Sequence, residues 1–508
     1  IVHAWEQWGP ACLDRFNGAF AFAVWDRRTG EVVVARDRLG VRPMFLARAG
    51  SCLLFASEAK ALLRHPDLPR QLDPKGVVET LTTWSTSASR SAFLGVRELA
   101  PGHYCRIGKG GILEERRWWD VPFLHPDYDE ARSEASLAEE LRELFLDSVR
   151  LRLRADVPVG VYLSGGLDSS ATAAAVRRVS SAHLRSFSLR FEDPLFDEGP
   201  FQEQMATALN TEMSAVKVGY HRIAEMFPDV IWNAEALTLR TAPAPLYALS
   251  QHVRENHFKV VLTGEGADEL FAGYDIFRED KIRRFWARQP TSTARPALFA
   301  KIYPFLARDL GKTGAFAKGF FGRGFQETAH PLYSHRVRFD NTRRTTAMLS
   351  PAVMAAADGF DPQQELVERL PADWMKLPAQ TRAQYLETVT FLEGYLLHTQ
   401  GDRMLMGNAV EGRFPFLDYR LWEFAAKVPP RLLLRGLREK HLLREAVGPM
   451  LPIDIAKRQK RPYRAPILRA FVGEGAPSYV AEVLDRAALS DAGLFDAEMV
   501  GRLLAKCR

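Results

Sequence analysis

A glycine-rich stretch in the middle of the chain carries side chains that suit phosphate chemistry. It reads VGVYLSGGLDSS and runs from Val159 to Ser170. An apolar strand leads into a Ser-Gly-Gly turn and a helix of small residues, so backbone amides, the hydroxyls of Ser169 and Ser170 and the helix dipole can meet one anion. The pattern predicts a pyrophosphate loop in which Asp168 holds Mg²⁺ against the phosphates. The alternative is a glycine turn with an aspartate at the helix N-cap.

A second stretch repeats this arrangement further along the chain. It reads VLTGEGADELFAGY from Val261 to Tyr274, again a strand followed by glycines and acids. Ligands of open α/β sheets bind beyond the carboxyl ends of the strands, so we expect both loops to open onto one cleft. Asp168 and Asp268 can then share a metal ion, and Glu265 can act on the reacting group. Taken alone, the second loop is equally well explained as a capped turn.

The elements around these loops predict two regions with a boundary near residue 120. Before it, short apolar strands alternate with glycine-containing turns, which is typical of antiparallel sheet. After it, a helix at Leu137–Leu153 opens an alternation of strands and helices that favours a parallel, helix-covered sheet. From about Glu279 the pattern is mainly helical. We therefore expect domains at 1–120 and 121–508.

Several element boundaries are predicted. In the first region the strands are Ala19–Trp25, Glu31–Ala35, Met44–Ala47 and Cys52–Ala56, followed by a helix at Ser57–Arg64 and a hairpin of Leu99–Arg106, with Pro101-Gly102 as its turn, and Leu113–Trp119. In the second region the strands are Pro158–Leu163, Arg185–Phe191 and Lys259–Thr263, and the helices are Ser169–Arg178 and Glu203–Leu209.

Composition excludes several classes of protein. The 508 residues are 47% hydrophobic and carry 68 Lys+Arg against 62 Asp+Glu, which is ordinary for a multidomain globular chain. Four cysteines without CxxC or metal spacing exclude a disulfide scaffold and favour a reducing compartment. With no membrane-length apolar run and no signal pattern, we expect a cytoplasmic protein without membrane contact.

One segment is unusually basic. Lys281–Ser350 holds 14 Lys/Arg and three acidic residues, a local charge of +11. Such a segment is either a solvated, arginine-rich helical region or a surface for RNA. We expect the first, and therefore no nucleic-acid partner.

The motifs together resemble a known family. The SGGLDSS loop is similar to that of PP-loop ATP pyrophosphatases, and with the second loop it resembles the glutamine-hydrolysing asparagine synthetases. Further motifs in the same order are Asp402–Met404, Glu411–Asp418 and Glu439–Arg444, and motifs similar to the glutaminase domain are Asn17–Phe22, Ala35–Gly40 and Ala56–Leu62. The implied fold is α/β: a truncated αββα glutaminase domain of the N-terminal-nucleophile (class II amidotransferase) type, then a PP-loop parallel-sheet domain with a helical C-terminal part.

The resemblance also implies roles for individual residues. The adenosine part of ATP would lie on Leu163, Leu189, Thr263 and Gly264, and pyrophosphate on Ser164, Gly165, Gly166, Asp168, Ser169 and Ser170. Asp168 and Asp268 match metal ligands, Glu265 matches a glutamate needed to form an acyl-adenylate, and Lys440 matches a lysine near the phosphates, or is a surface lysine. Arg403 and Arg413 are either site residues or anchors in ion pairs. The basic run Lys457–Arg461 is either a loop that closes over ATP or a solvated loop.

The activity implied is amide formation driven by ATP and Mg²⁺. The default acceptor is aspartate, converted through beta-aspartyl-AMP and ammonia from glutamine to asparagine, AMP and pyrophosphate. Glu265 replaces a tyrosine of β-lactam-forming relatives, which favours an intermolecular amide. In relatives, the segment that corresponds to Glu235–Pro243 faces the acceptor, and here this segment departs from the family pattern. An amidotransferase or cyclase of a biosynthetic pathway is therefore the alternative. A tRNA-modifying PP-loop enzyme and a non-catalytic scaffold rank lower, and a homodimer is possible.

The glutaminase nucleophile is not expected within this sequence. The chain begins at Ile1 in a pattern typical of a domain interior, and the family's terminal cysteine and glutamine-binding residues would lie upstream. Cys12 is neither terminal nor in a matching context. We therefore expect an N-terminally cut chain that does not hydrolyse glutamine by itself.

Overall fold

The computed structural model describes residues 1–88, 90–306, 315–473 and 475–507. Its strands are β1 Ala21–Asp26, β2 Glu31–Arg36, β3 Phe45–Ala49, β4 Cys52–Ala56, β5 Val96–Glu98, β6 His103–Gly108, β7 Gly111–Arg117, β8 Val159–Tyr162, β9 Arg185–Phe191, β10 Glu212–Val218, β11 Val260–Leu262 and β12 Glu411–Arg413.

The helices are concentrated after residue 120. The α-helices are Val2–Trp8, Ala59–Leu62, Pro74–Thr83, Glu134–Arg152, Leu167–Val179, Gly199–Leu209, Tyr220–Glu225, Phe227–Ala234, Pro243–Glu255, Ala267–Leu270, Asp275–Ala287, Phe299–Ile302, Ala315–Phe321, Tyr333–Arg343, Pro351–Ala356, Pro362–Glu368, Ala379–Glu387, Arg403–Met406, Tyr419–Lys427, Pro430–Leu433, His441–Val447, Ile453–Lys457, Leu468–Phe471, Ser478–Val483, Arg486–Ala492 and Ala497–Cys507. A π-helix spans Thr388–Asp402. No helix among the described residues is both long and apolar enough to cross a membrane.

Two antiparallel sheets face each other in the N-terminal part. The order β1-β2-β6-β7 forms one sheet and β4-β3-β5 the other. Val34, Leu46 and Cys105 are buried together between them. The outer faces are covered by the helices Val2–Trp8 and Ala59–Leu62. The α/β prediction with an αββα arrangement is confirmed here.

The predicted hairpin turn at Pro101-Gly102 is wrong. Strand β6 begins after it and pairs with β2 and β7, and the β6–β7 connection lies at 109–110. Gly102 has a φ of 65°, and a Cβ there would lie 2.5 Å from the Trp119 carbonyl oxygen. The Pro-Gly pair is therefore a tight turn where the chain passes from one sheet to the other.

A five-stranded parallel sheet forms the centre of the second part. Its strand order is β10-β9-β8-β11-β12, and every pair in it is parallel. The helices Glu134–Arg152 and Leu167–Val179 pack on each other, and Pro243–Glu255 packs on β9 and β10. The predicted parallel, helix-covered sheet is confirmed. Strands β10 and β12 are additional to those that the sequence predicted.

The basic segment lies in the helical part. Arg283 is buried and donates hydrogen bonds to the carbonyls of Phe321, Arg323 and Tyr333. Arg338 pairs with the buried Glu387. Residues 307–314 of this segment lie outside the described residues. Several of its charges thus hold helices together.

Candidate functional site

Both glycine-rich loops leave the same edge of the parallel sheet. Strands β8 and β11 are neighbours in register, with Val161 opposite Leu262. The first loop starts where Leu163 N donates to the Phe187 carbonyl, and the second where Thr263 N donates to the Arg413 carbonyl. The switch in strand order between β8 and β11 therefore brings the two loops together, as open α/β sheets do at their ligand sites.

The first loop is built around serine hydroxyls and a left-handed glycine. Ser164 Oγ and Ser169 Oγ are 2.8 Å apart, and Gly166 N donates to Ser164 Oγ at 3.2 Å. Gly165 has a φ of 73°, and a Cβ there would lie 2.6 Å from Phe201 Cβ. The Ser170 hydroxyl is buried without a hydrogen-bond partner among the described residues. Hydroxyls and a glycine turn before the helix Leu167–Val179 suit a phosphate group.

Gly264 lets the second loop lie directly on the first. A Cβ at Gly264 would lie 3.0 Å from Asp168 Cβ and 3.1 Å from Ser169 N. On the other side of β8, Leu189 of β9 is half-buried, and its carbonyl accepts from Gln202 Nε2. The residues predicted to bind adenosine and pyrophosphate thus lie on adjoining strands and loops.

Four charged side chains meet where the loops touch, and we call them the four-charge cluster: Asp168, Asp268, Lys440 and Lys460. Lys440 Nζ lies 2.5 Å from Asp168 Oδ2 and 2.5 Å from Asp268 Oδ1. Lys460 Nζ lies 2.5 Å from Asp268 Oδ2 and 3.6 Å from Asp168 Oδ2. Burial alone would raise the pKa of Asp268, but the attraction of both lysines outweighs it and lowers that pKa.

The two aspartates also fit a divalent cation. Their carboxylate oxygens converge closely enough to share one ammonium group, and carboxylate oxygens are the ligands that Mg²⁺ prefers. Lys440 and Lys460 balance the aspartate charges in this structure. Gly273 is needed beside them, because a Cβ there would lie 2.0 Å from Asp268 Oδ1.

The carboxyl group of Glu265, beside the four-charge cluster, has a raised pKa. Its carboxylate accepts a hydrogen bond from Thr263 Oγ1. Burial raises the pKa of Glu265 to about 7; the charges of Asp168 and Asp268 add to this shift and Lys460 opposes it. A carboxyl that titrates near neutrality beside a phosphate site can take up or release a proton.

The basic run predicted as a closing or solvated loop lies against the site. Arg458 Nη1 donates to the Gly165 carbonyl at 2.8 Å, and its guanidinium stacks 3.7 Å from the Phe201 ring. Glu439 accepts from Lys460 N at 2.9 Å. The structure therefore favours the closing-loop interpretation, and it adds Arg458, Lys460 and Glu439 to the residues of the site. In the sequence, the basic run indicated Arg458 and Lys460, and the motif Glu439–Arg444 included Glu439.

Arg403 and Arg413 serve as anchors. Arg403 is buried and pairs with Glu235. Arg413 Nε pairs with Glu411 at 2.7 Å, and its Nη1 donates to the carbonyls of Arg152 and Arg154. Of the two interpretations left open by the sequence, the ion-pair anchor describes both residues.

Cys12 is unsuited to nucleophilic chemistry. It is fully buried beside Leu13 and Tyr104. Burial raises the pKa of its thiol, which keeps it protonated.

Comparisons with known proteins agree with the order of motifs. The model of the asparagine synthase family matches residues 140–508, and that of the glutamine amidotransferase domain matches residues 1–119. The amidase chyE of Penicillium rubens is 31% identical over 504 residues, covering 92% of this chain and 72% of that protein. The glutamine-hydrolyzing asparagine synthetase 3 of Bacillus subtilis is 29% identical over 481 residues, covering 91% and 70%.

A solved structure resembles this chain weakly. The NH3-dependent NAD synthetase of Campylobacter jejuni is 15% identical, with a TM-score of 0.21, and the match covers 47% of this chain and 98% of that one.

The sequence relatives carry two kinds of name, amidase and asparagine synthetase, which leaves the acceptor to be argued from the site. The asparagine synthase match alone spans well over half of the sequence. The chain belongs to the asparagine synthase family.

Proposed function

We propose that the protein is an ATP-dependent, amide-forming ligase. A carboxylate oxygen of the acceptor attacks the α-phosphorus of ATP, and the bond to pyrophosphate breaks. Ammonia then attacks the acyl carbon, and the bond to AMP breaks. One observation carries this proposal: Asp168 and Asp268, on loops after neighbouring parallel strands, converge on one point with Lys440.

Each residue of the site has a place in this scheme. The serines of Ser164–Ser170 bind pyrophosphate, and Leu163, Leu189, Thr263 and Gly264 line the adenosine side. Lys440 offsets negative charge on the departing pyrophosphate. Glu265, which ionises near neutrality, accepts the proton that ammonia loses. Mg²⁺, held by Asp168 and Asp268, would supply further positive charge to the phosphates.

Aspartate is the acceptor that the family suggests, with asparagine as product and glutamine as the source of ammonia. A second candidate is an amidotransferase or cyclase of a biosynthetic pathway that uses another carboxylate. One observation favours it, the relative named an amidase, and the expected departure of Glu235–Pro243 from the family pattern agrees with it. We place the boundary between the glutaminase-type domain, 1–120, and the synthetase domain, 121–508, near residue 120.

Pyrophosphate release tests the reaction class. The full chain is given ATP, Mg²⁺, ammonium chloride and a panel of carboxylates that includes aspartate, so that no glutaminase step is needed. We expect acceptor-dependent release, AMP formation and an amide product by mass spectrometry. Asp168→Ala should abolish release, and Asp491→Asn, on an exposed helix, should not. Release without AMP, or release unaffected by Asp168→Ala, would refute the proposal.

A further inference from the structure

An aromatic surface begins beside the four-charge cluster and ends at Arg240. Lys460 Nζ lies 5.7 Å from the centre of the Tyr274 ring. The Tyr274 and Phe391 ring centres are 5.8 Å apart, those of Phe391 and Trp84 are 5.7 Å apart, and Arg240 Cζ lies 5.4 Å from the Trp84 ring. Tyr274, Trp84 and Arg240 are only half-buried, so the surface has an accessible side.

This surface lies on the β11 side of the nucleotide loops. Tyr274 follows the second loop, after β11, whereas Leu189 belongs to β9 on the other side of β8. The chain from the closing loop to Tyr463 contacts both the four-charge cluster and the segment Glu235–Pro243. It brings Lys460 to Asp268 and also donates a hydrogen bond from Tyr463 Oη to the Ala242 carbonyl at 3.1 Å. A molecule on the aromatic surface is therefore covered by the same loop that covers the phosphates.

Arg240 is the charged side chain of segment Glu235–Pro243 that remains available for a ligand. Glu235 is buried, accepts hydrogen bonds from Ala59 N and Lys60 N, and pairs with Arg403. Arg240 makes no ion pair among the described residues, and its Nη2 donates to the Tyr463 carbonyl at 3.1 Å. A guanidinium group has five N–H donors, so several are left for an oxygen of the ligand.

Trp84 is held in an unfavourable backbone conformation at this surface. Its φ is 83° at the end of the helix Pro74–Thr83, where glycine is the usual residue. Its indole nitrogen donates to Thr342 Oγ1 at 2.8 Å, which fixes the ring. Strain in a bulky residue persists where the surroundings demand its side chain, and such positions cluster at ligand sites.

A buried hydroxyl completes the surface. Tyr395 is 2% exposed, and its Oη has no hydrogen-bond partner among the described residues. Its ring stacks on Phe391, with centres 5.4 Å apart. Burial raises the pKa of Tyr395 to about 12, with the nearby Arg240 charge opposing the shift. An unpartnered hydroxyl near a cation can bind an oxygen atom of a ligand.

We propose that this surface binds the acceptor, and that the acceptor is an aromatic carboxylic acid. Its ring lies on Trp84 and Tyr274, and a second oxygen-bearing group at the far end accepts hydrogen bonds from Arg240. The carboxylate to be activated then points toward Asp268 and Glu265. This inference rests on the proposed function, and it narrows the acceptor from any carboxylate to one with a ring.

Four probe acids separate the features of the site. Terephthalate has a ring and two carboxylates, benzoate has a ring and one, adipate has two carboxylates without a ring, and aspartate is the family acceptor. With the full chain, ATP, Mg²⁺ and ammonium, terephthalate should support pyrophosphate release with a kcat/KM about tenfold or more above adipate and aspartate. Calorimetric binding of each acid without ATP gives a readout that needs no turnover.

Variants assign the effect to residues. Arg240→Gln should lower the affinity for terephthalate about tenfold, because a hydrogen bond to a charged group is worth about that factor. The affinity for benzoate should change less than about threefold, because benzoate has no second carboxylate for Arg240 to bind. Trp84→Gly removes the ring and places glycine, the residue preferred at a positive φ, at this position. It should weaken the binding of both aromatic acids, and Trp84→Phe should restore part of the affinity. Trp232→Ala, at an exposed tryptophan, is the matched control and should change neither.

Each outcome decides between the two proposals. Equal or better use of aspartate or adipate, or aromatic binding that survives both Arg240→Gln and Trp84→Gly, overturns the aromatic acceptor and leaves the ligase in place. Binding of terephthalate that depends on Arg240 and Trp84, with no acid releasing pyrophosphate, overturns the ligase and keeps the aromatic site.

Discussion

Replacing Glu235 with glutamine should weaken the contact between the N-terminal sheets and the parallel-sheet part of the molecule. The Glu235 carboxylate accepts from Ala59 N at 2.9 Å and Lys60 N at 2.7 Å, which begin the helix Ala59–Leu62. It also lies 3.3 Å from Arg403 Nη2 and 3.3 Å from Lys60 Nζ. Glutamine keeps one acceptor oxygen, but its NH2 group must face one of the N–H donors that the carboxylate oxygen accepts from now. Because glutamine is neutral, the buried Arg403 also loses the charge of its partner.

The size of the effect follows from this burial. Glu235 is 6% exposed and Arg403 3%. Removing one member of a buried ion pair costs about 3 kcal/mol or more. At about 2 °C per kcal/mol for a large domain, the melting temperature falls by about 6 °C. Glu225→Gln is the matched control, because its carboxylate is 56% exposed and pairs with the exposed His221, and it should not change melting measurably.

Two measurements check this prediction. Calorimetry gives the melting temperature, and hydrogen exchange gives the protection of the Ala59 and Lys60 amides, which should fall in Glu235→Gln alone. If these amides keep their protection and the melting temperature matches that of Glu225→Gln, then Glu235 does not join the two parts, and the argument that frees Arg240 for a ligand also loses its basis.

Three further outcomes are expected. Burial raises the pKa of Glu265 to about 7, so its carboxyl is protonated below that pH and ionised above it. Because the ionised form accepts the proton that ammonia loses, amide formation at constant free ammonia should increase as pH rises through 7. Glu265→Gln should lower the rate of amide formation and remove this inflection from the pH profile. Gly264→Ala should lower kcat/KM for ATP by about tenfold or more with normal melting, since its Cβ would press on Asp168 and Ser169, whereas Gly501→Ala, with open space around its Cβ, should leave kinetics unchanged. Arg283→Ala should destabilise the chain by about 3 kcal/mol or more in urea unfolding, because three carbonyls, two of them in buried hydrogen bonds, lose their donor. A loss of stability no larger than that of a substitution at an exposed site would contradict this role.

The sequence predicts the elements whose patterns are local. Strand β9 has the predicted bounds, Arg185–Phe191, because its sequence RSFSLRF alternates polar and apolar residues, which is the local pattern of a strand. Strand β12, Glu411–Arg413, is short and polar, and it is a strand because it pairs with β11 about 150 residues earlier in the chain. Strand β10 lies at the sheet edge with alternating exposure, a weaker pattern.

The residues of the site also divide into those that a local motif predicts and those that depend on contacts between distant parts of the chain. Asp168, Asp268 and Lys440 are predicted from motifs, and the structure brings all three together. Lys460 stays undecided in the sequence, because a run of basic residues carries no information on which side chain reaches Asp268. Glu235 and Arg240 appear in one segment of the sequence, but a left-handed residue at Glu235, with a φ of 51°, directs the chain so that the two side chains serve different regions.

The four-charge cluster has a consequence for how ATP arrives. Two aspartates and two lysines in contact carry no net charge, so beyond a Debye length of about 8 Å they exert little pull on an anion. Long-range attraction then comes from exposed cations outside the cluster, such as Arg461 of the closing loop and Arg464 three residues after it. The rate of nucleotide capture, and its fall with ionic strength, is therefore set by side chains outside the cluster, and it can change during evolution without altering the chemistry of the bound state.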